Sequence, residues 1–143
     1  MISRNDEVQP GGRAWRLAVI RAIEEAKILG VRAGRRSDHK FTGVWVVVVE
    51  GRVFARSWTV KADGWYHAFR EDPAGTIQVG ERRLRVRARV VRSAPMLESI
   101  DRAYAAKYNT PAAMKWVRGF RTKRRREATI EFLPAEPRRA VKA

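Results

Sequence analysis

The sequence of 143 residues contains no cysteine and only two histidines. The lack of cysteine excludes disulfide bonds, thiolate nucleophiles and cysteine-based metal sites. His39 and His67 alone do not make a histidine-rich metal centre, so we expect no metal. Glycine-rich Rossmann and Walker motifs are absent, and residue spacing gives no Ser-His-Asp triad. The sequence therefore carries no catalytic machinery that a motif alone identifies.

Long apolar runs are also missing. The longest unbroken run covers residues 44–49, whereas a membrane-spanning helix needs about 20 such residues. Residues 1–12 contain no apolar stretch of signal-peptide length. We therefore expect a cytoplasmic location and no membrane partner.

Acidic residues are scarce relative to basic ones. The chain has 31 Lys and Arg against 15 Asp and Glu, which gives a net charge of +16. Such a field attracts phosphates and polyanions but does not determine the fold. Most of the basic residues are arginines, whose planar fork binds phosphate in a bidentate manner. A coding bias toward arginine explains the same composition equally well.

The length predicts one domain with one sizeable core. We expect a flexible leader at residues 1–12, a single domain over residues 13–134 and a flexible basic tail over residues 135–143. Hydrophobic periodicity, with turns at Glu50-Gly51 and Gly80-Glu81, predicts the order of the elements. The first half has a helix over 13–29 capped by Gly30, a basic connection over 31–40, strands over 42–49 and 52–59, and a short helix over 63–72 with Asp63 as N-cap. The second half has strands over 76–79 and 82–91, a helix over 95–108, a helical turn from Thr110-Pro111 and a strand over 127–133.

Hairpins with helices set between them are typical of a particular fold class. They predict an α+β fold that is mainly β, namely a small antiparallel barrel with an N-terminal helix and further helices packed on the barrel.

A basic turn is the first candidate site. Arg35, Arg36 and Ser37 suit a phosphate, because two guanidinium groups and a hydroxyl stand beside backbone N–H groups. A solvated basic loop is the alternative.

Arg56, near the end of a strand, is either buried or at the mouth of the barrel. If buried it needs a phosphate or a carboxylate, and a salt bridge at the rim is the alternative.

Aromatic residues form the second candidate site. Trp65, Tyr66 and His67 are suited to wall a flavin ring by stacking and hydrogen bonding, and ordinary packing of a helix on the barrel is the alternative. Tyr66 and His67 are also the candidates that remain for a catalytic acid or base. Lys107, near the end of the helix over 95–108, is either a ligand contact or a side chain that snorkels along the core.

Two basic stretches predict an alternative function, nucleic-acid binding through the phosphate backbone without sequence preference. One is an alternating strand stripe and the other a continuous run. Neither has interleaved aromatic residues in the sequence, which single-strand binders usually have. The residues are Arg83, Arg85, Arg87 and Arg89 in the stripe, and Lys123, Arg124, Arg125 and Arg126 in the run.

Four short segments carry a resemblance to a known family. They are Gly34-Arg35-Arg36-Ser37, Arg56-Ser57-Trp58, Gly64-Trp65-Tyr66 and Ala103-Tyr104-Ala105-Ala106-Lys107-Tyr108. With them the chain resembles the domain of unknown function family 2255, a small bacterial family, over residues 15–134. The resemblance implies a split β-barrel of the flavin-binding type.

A wider resemblance is to deazaflavin-dependent nitroreductases, in which a Gly-Arg-Arg-Ser turn binds the cofactor's phosphate. In those enzymes a serine at a strand end and an aromatic helix lie near the cofactor's ring. The chain departs from them at Asp38, where the turn usually continues with glycine. The cofactor-binding residues predicted from these segments are Arg35, Arg36, Ser37, Arg56, Ser57, Trp58, Trp65, Tyr66 and Lys107.

The resemblance therefore implies a homodimer that binds FMN or a deazaflavin at its interface and transfers a hydride to a small substrate. The cofactor would carry that chemistry, and the protein would bind and orient it. Two alternatives remain open at this point: a small barrel that binds nucleic acid, and a barrel without cofactor that serves as an interaction module.

Overall fold

The computed structural model describes residues 14–34, 40–59, 61 and 64–135 of the chain. Within them it has seven strands and five helices. The elements are α1 (Leu17–Glu25), β1 (Leu29–Ala33), β2 (Thr42–Val44), β3 (Val46–Val49), β4 (Arg52–Arg56), α2 (Trp65–Glu71), β5 (Ala74–Val79), β6 (Arg82–Val90), α3 (Ala94–Lys107), α4 (Pro111–Gly119), α5 (Lys123–Arg126) and β7 (Thr129–Pro134). No helix in the described part of the chain is long and apolar enough to cross a membrane.

All strand pairs are antiparallel, in the order β2-β1-β5-β6-β7-β4-β3. The two outermost strands of this order, β2 and β3, are neighbours in the chain, and Trp45 alone separates them. One bent stretch therefore pairs with β1 on one side and with β4 on the other, which brings the two edges of the sheet together. The result is a nearly closed barrel, and the predicted α+β, mainly β fold class is confirmed.

Two apolar clusters hold the molecule together. The first fills the barrel, where inward-facing strand residues such as Val46, Ile77 and Phe132 meet Ile23 of α1 and Phe69 of α2. Full burial of one such side chain stabilises the fold by roughly 1.5–3 kcal/mol.

The second cluster lies outside the barrel, between the outer face of β3–β4 and the helices α3 and α4. Phe54 of the sheet meets Ile100 and Tyr104 of α3, with Val117 and Phe120 from the α4 side. The helices are thus packed on the barrel, as the sequence predicts.

The predicted first helix is too long. It ends at Glu25 instead of residue 29, and Gly30, predicted to cap it, lies in β1 and pairs with both Gly43 and Gln78. The apolar residues before Gly30 fit a helical period, but pairing with β2 and β5 outweighs that local preference. The predicted basic connection therefore begins as a strand, and the predicted strand over 42–49 is broken at Trp45.

The predicted turn at Glu50-Gly51 and the predicted helix start at Thr110-Pro111 are confirmed. Glu50 and Gly51 turn the β3–β4 hairpin with φ angles of 55° and 74°, the left-handed pair that a tight two-residue turn requires. The Oγ1 of Thr110 accepts a hydrogen bond from the Ala113 N–H and starts α4. Asp63, predicted to cap α2, lies outside the described residues, and Gly64 stands at the N-cap position.

Candidate functional site

A cleft opens where the bend at Trp45 meets the end of β4. Its volume is about 290 Å³, at the lower end of the roughly 300–1,000 Å³ typical of small-molecule sites. It is large enough for one planar ring system. The lining residues are Thr42, Gly43, Val44, Trp45, Arg56, Trp58, Thr59, Trp65, Trp116 and Phe120.

Tryptophans dominate the walls, since four of the five in the chain line the cleft. Trp58 and Trp116 meet edge to face at 5.0 Å between ring centroids, and 37% and 43% of their surfaces are exposed. Phe120 packs edge-on against Trp58 at 5.6 Å. Exposed aromatic faces around a concave space are suited to stack on a planar ligand.

Arg125 holds Trp58 in place. Its guanidinium lies 3.5 Å from the centroid of the indole ring, and its Nε donates to the Trp58 carbonyl at 2.8 Å. Gly119 allows the close approach, because a Cβ atom at that position would lie 2.5 Å from the indole Cη2. The orientation of this wall of the cleft therefore depends on α4 and α5.

Arg56 is only 1% exposed. Its Nε donates to the Thr129 Oγ1 at 2.8 Å, and its Nη1 donates to the carboxylate of Asp101 and to the Phe120 carbonyl. A carboxylate of the chain itself is therefore the partner of this buried charge. Asp101 lies on α3, so the ion pair ties that helix to the strand end that lines the cleft.

A family model described as an uncharacterized protein conserved in bacteria, DUF2255, matches residues 16–132. The chain belongs to the DUF2255 family. A comparison with curated proteins finds no match.

Two solved structures share the fold of this DUF2255 chain. The conserved hypothetical protein Rv2991 from Mycobacterium tuberculosis has a TM-score of 0.58 at 12% identity, covering 91% of this chain and 86% of its own. An FAD-binding protein from Mesorhizobium loti has a TM-score of 0.52 at 11% identity, covering 87% of this chain and 93% of its own. At such identities the likeness shows the fold alone, and it confirms the predicted barrel.

The predicted cofactor residues of the DUF2255 chain fall into three groups. Arg56, Trp58 and Trp65 line the cleft. Arg35, Arg36 and Ser37 lie outside the described residues, but β2, which follows them in the chain, lines the cleft with Thr42 and Gly43. The third group lies elsewhere and consists of Ser57, Tyr66 and Lys107.

The side chain of each member of that third group donates a hydrogen bond to a backbone carbonyl. The Ser57 hydroxyl donates to the Thr59 carbonyl, and the Tyr66 hydroxyl donates to the Glu127 carbonyl at 3.1 Å. Lys107 Nζ donates to the carbonyls of Ile23 and Val46 at 3.2 and 2.8 Å, and burial lowers its pKa to about 8. His67, the other catalytic candidate, packs against the Tyr66 ring at 5.2 Å between centroids.

Sequence reasoning missed Trp45, Trp116 and Phe120 as cleft residues. Trp45 stands within an apolar strand pattern, and Trp116 stands among basic helical residues, so neither signals a shared cavity. The one available sign was a large aromatic residue close to Lys115 and Arg118 in the sequence. The pairing of β3 with β4 and the docking of α4 bring these rings together.

The two basic stretches lie at different places. Arg83, Arg85 and Arg87 are exposed on β6, and Arg89 instead pairs with Glu131 at 2.8 Å. The run at residues 123–126 forms α5, beside Trp58.

Glu131, the partner of Arg89, also binds Arg52 at 2.8 Å. Burial favours a higher pKa for Glu131, yet the hydrogen bonds and charges of Arg52 and Arg89 outweigh burial and lower that pKa below its ordinary value. Arg89 of the β6 stripe is therefore held in an ion pair with Glu131 of the neighbouring strand.

Proposed function

We propose that this DUF2255 protein binds a flavin-type cofactor, FMN or a deazaflavin, in the tryptophan-lined cleft and transfers a hydride to a small substrate. The observation that carries the proposal is the cleft itself, in which four indole rings and Phe120 surround a space of about 290 Å³. The fold likeness to a protein described as FAD-binding supports it.

The residues present fit a ring system better than a whole nucleotide. The faces of Trp58, Trp65 and Trp116 would contact the ring, and the hydroxyls of Thr42 and Thr59 supply polar contacts at its edge. A flavin bound there would supply the hydride chemistry. The tryptophans would orient the ring and exclude water from it.

The phosphate is assigned to the basic turn. Arg35, Arg36 and Ser37 remain the proposed ligands, because they precede the strand that lines the cleft with Thr42 and Gly43. Arg56 is proposed to stabilise the cleft wall, since its donors are directed to groups of the chain.

A homodimer with the cofactor at its interface is part of the proposal, and it rests on the resemblance to flavin-binding split barrels. Light scattering coupled to size-exclusion chromatography, with and without FMN, measures the mass in solution. A mass of one chain in both conditions would remove the dimer from the proposal while leaving the cleft in it.

Titration with FMN and with a deazaflavin, followed by cofactor fluorescence, tests the proposal. Trp116→Ala is expected to weaken binding roughly tenfold, since an aromatic pair contributes about 0.5–1.5 kcal/mol beyond its buried area. Arg35→Ala/Arg36→Ala is expected to weaken it further through loss of the phosphate contacts. Arg85→Ala/Arg87→Ala, which removes the same charge from the exposed face of β6, is the matched control.

Absence of saturable binding of either cofactor to the unaltered protein contradicts the proposal. If the protein also fails to bind polynucleotides, the result favours the interaction-module alternative. Equal affinities of the Arg35→Ala/Arg36→Ala variant and its control contradict the phosphate assignment alone.

A further inference from the structure

All charged residues of the segment from Pro111 to Arg126 are basic. This segment contains seven lysines and arginines and no aspartate or glutamate. It folds into α4 and α5, and it leaves several of these side chains in solvent. So many positive charges close together repel one another and destabilise the fold unless counterions or an anionic partner neutralise them.

Some of these cations have roles inside the fold. Arg126 Nε lies 3.1 Å from the Asp101 carboxylate, Arg125 stacks on Trp58, and Lys123 pairs with Glu127 at 2.6 Å. Arg118 and Arg124 are exposed, and their side chains take part in no ion pair or hydrogen bond within the described part of the chain. They are available for an anion from outside.

Two exposed aromatic rings lie beside other basic residues of this segment. Among the described residues, Trp58 and Trp116 are the aromatic side chains that are exposed, and they contact each other. Lys115 Nζ lies 5.2 Å from the centre of the Trp116 ring, and the Arg125 guanidinium covers one side of Trp58. The two indoles, Lys115 and Arg125 thus form one surface, called here the indole-arginine surface (Trp58, Lys115, Trp116 and Arg125). Arg118 and Arg124 belong to the same two helices.

We infer that the indole-arginine surface binds single-stranded nucleic acid. Stacking on aromatic side chains combined with a basic track along the backbone is the usual means of such binding, and it requires no particular sequence. The tertiary structure supplies the aromatic residues that the basic run lacks in sequence. A duplex hides the faces of its bases, so exposed indoles favour a single strand.

An acidic protein segment is the rival occupant. It would satisfy Arg118 and Arg124, but it has no regular supply of planar rings for Trp58 and Trp116. The inference is independent of the flavin proposal in its charged part, because Arg118 and Arg124 do not line the cleft.

Fluorescence anisotropy of a short fluorescein-labelled oligothymidylate, titrated with the full chain over a series of salt concentrations, tests the inference. We expect saturable binding. The logarithm of the binding constant should fall linearly with the logarithm of the salt concentration, with a slope of about 0.7 for each phosphate contacted. Trp116→Ala is expected to weaken binding roughly tenfold, in line with the loss of one stacked base.

A charge-reversal pair locates the surface. Arg118→Glu/Arg124→Glu is expected to abolish binding at moderate salt, whereas Arg85→Glu/Arg87→Glu changes the net charge equally on exposed residues of β6 and is expected to leave most of the affinity. FMN titrations of both variants separate this inference from the flavin proposal, which predicts cofactor affinity similar in the two.

Three outcomes would overturn the inference. They are equal losses in the two charge-reversal variants, an affinity that Trp116→Ala leaves unchanged, and binding of a duplex or of inorganic polyphosphate as tight as that of the single strand. The last two indicate a general attraction for polyanions without stacking, which an acidic protein partner would also exploit.

Discussion

The ring of Tyr108 stacks on the ring of Trp45 at 4.1 Å between centroids, with the planes 4° apart. The stack places the Tyr108 hydroxyl beside the backbone at the bend between β2 and β3. There it accepts a hydrogen bond from the Val46 N–H at 3.0 Å and donates to the Lys27 carbonyl at 2.7 Å. Tyr104 donates in the same way to the Trp45 carbonyl at 3.0 Å. Tyr104 of α3 and Tyr108, which follows the helix, thus hydrogen-bond to backbone groups at the bend and at Lys27.

Removal of these hydroxyls should destabilise the barrel at its closure. Tyr108→Phe leaves the Val46 N–H and the Lys27 carbonyl without this partner, which we expect to cost about 1–3 kcal/mol. Urea unfolding measures the loss. Tyr66→Phe, which removes a donor to the single carbonyl of Glu127, is the matched control and should cost less.

The same hydroxyls have a predictable pH dependence. Burial raises the pKa of Tyr108 to about 12 and that of Tyr104 above its ordinary value. Their contribution to the free energy of unfolding should be complete below about pH 10, the unfolded pKa, and decline as the pH rises toward the folded values. If Tyr108→Phe unfolds at the same urea concentration as the unaltered chain, the tyrosine acts through packing alone.

The buried ion pair of Arg56 and Asp101 should be strongly sensitive to loss of its acid. Asp101→Asn keeps the shape of the side chain but leaves the Arg56 charge buried without a counter-charge. We expect a loss of roughly 3 kcal/mol in the free energy of unfolding. Glu98→Gln makes the same chemical change at an exposed position of α3 and should have little effect.

A double replacement separates the cost of an unpaired charge from the value of the pair. Arg56→Met/Asp101→Leu should recover much of the stability that Asp101→Asn loses, because the fully buried Arg56 charge is removed together with its counter-charge. Arg126, which is partly exposed, loses its contact with Asp101 in both variants. Urea midpoints of the three variants decide this. A double variant as unstable as Asp101→Asn would indicate that the hydrogen bonds of Arg56 to Thr129 and Phe120 matter more than its charge.

Lys107 should make stability rise with pH in the alkaline range. Burial lowers its folded pKa to about 8, below its unfolded value of about 10.4. Between these values the unfolded chain binds more protons, so this residue's contribution grows as the pH rises from about 8 and is lost as the pH falls through 8. Urea midpoints of the unaltered chain and of Lys107→Met, compared across this range, isolate the effect.

Lys115→Met is the control for Lys107→Met, because Lys115 is an exposed lysine. Its midpoints should follow those of the unaltered chain at every pH. Parallel pH profiles for Lys107→Met and the unaltered chain would show that the amine titrates as a free lysine does.

Gly119→Ala should displace Trp58 from its position under Arg125. The added Cβ would lie 2.5 Å from the indole, so the ring must move, whereas the helix gains roughly 1 kcal/mol in propensity. We expect weaker binding of FMN with little change in the urea midpoint. Arg118→Ala, at the preceding exposed position, is the control, and equal FMN affinities of the two variants would contradict a role for the Trp58 position.

Local signals in the sequence predicted much of the fold. Glu50-Gly51 specifies a tight turn by its backbone preference, and Thr110-Pro111 specifies a helix start by its cap. The alternation of arginines and apolar residues in β6 gives its exposed and inward faces. The predicted end of α1 was wrong, because the segment after the helix has apolar residues that fit either a helix or a strand. Pairing with β2 and β5 decides in favour of the strand.

The sequence by itself determined the class of the fold, its hairpins and its basic character, since each depends on neighbouring residues. Only the tertiary structure decided that β2 and β3 close the barrel from opposite edges and that Asp101 is the partner of Arg56. It also decided which tryptophans share a cleft. Trp45, Trp58, Trp65 and Trp116 come from four separate segments, and contacts between segments far apart in the chain depend on packing that no local pattern encodes.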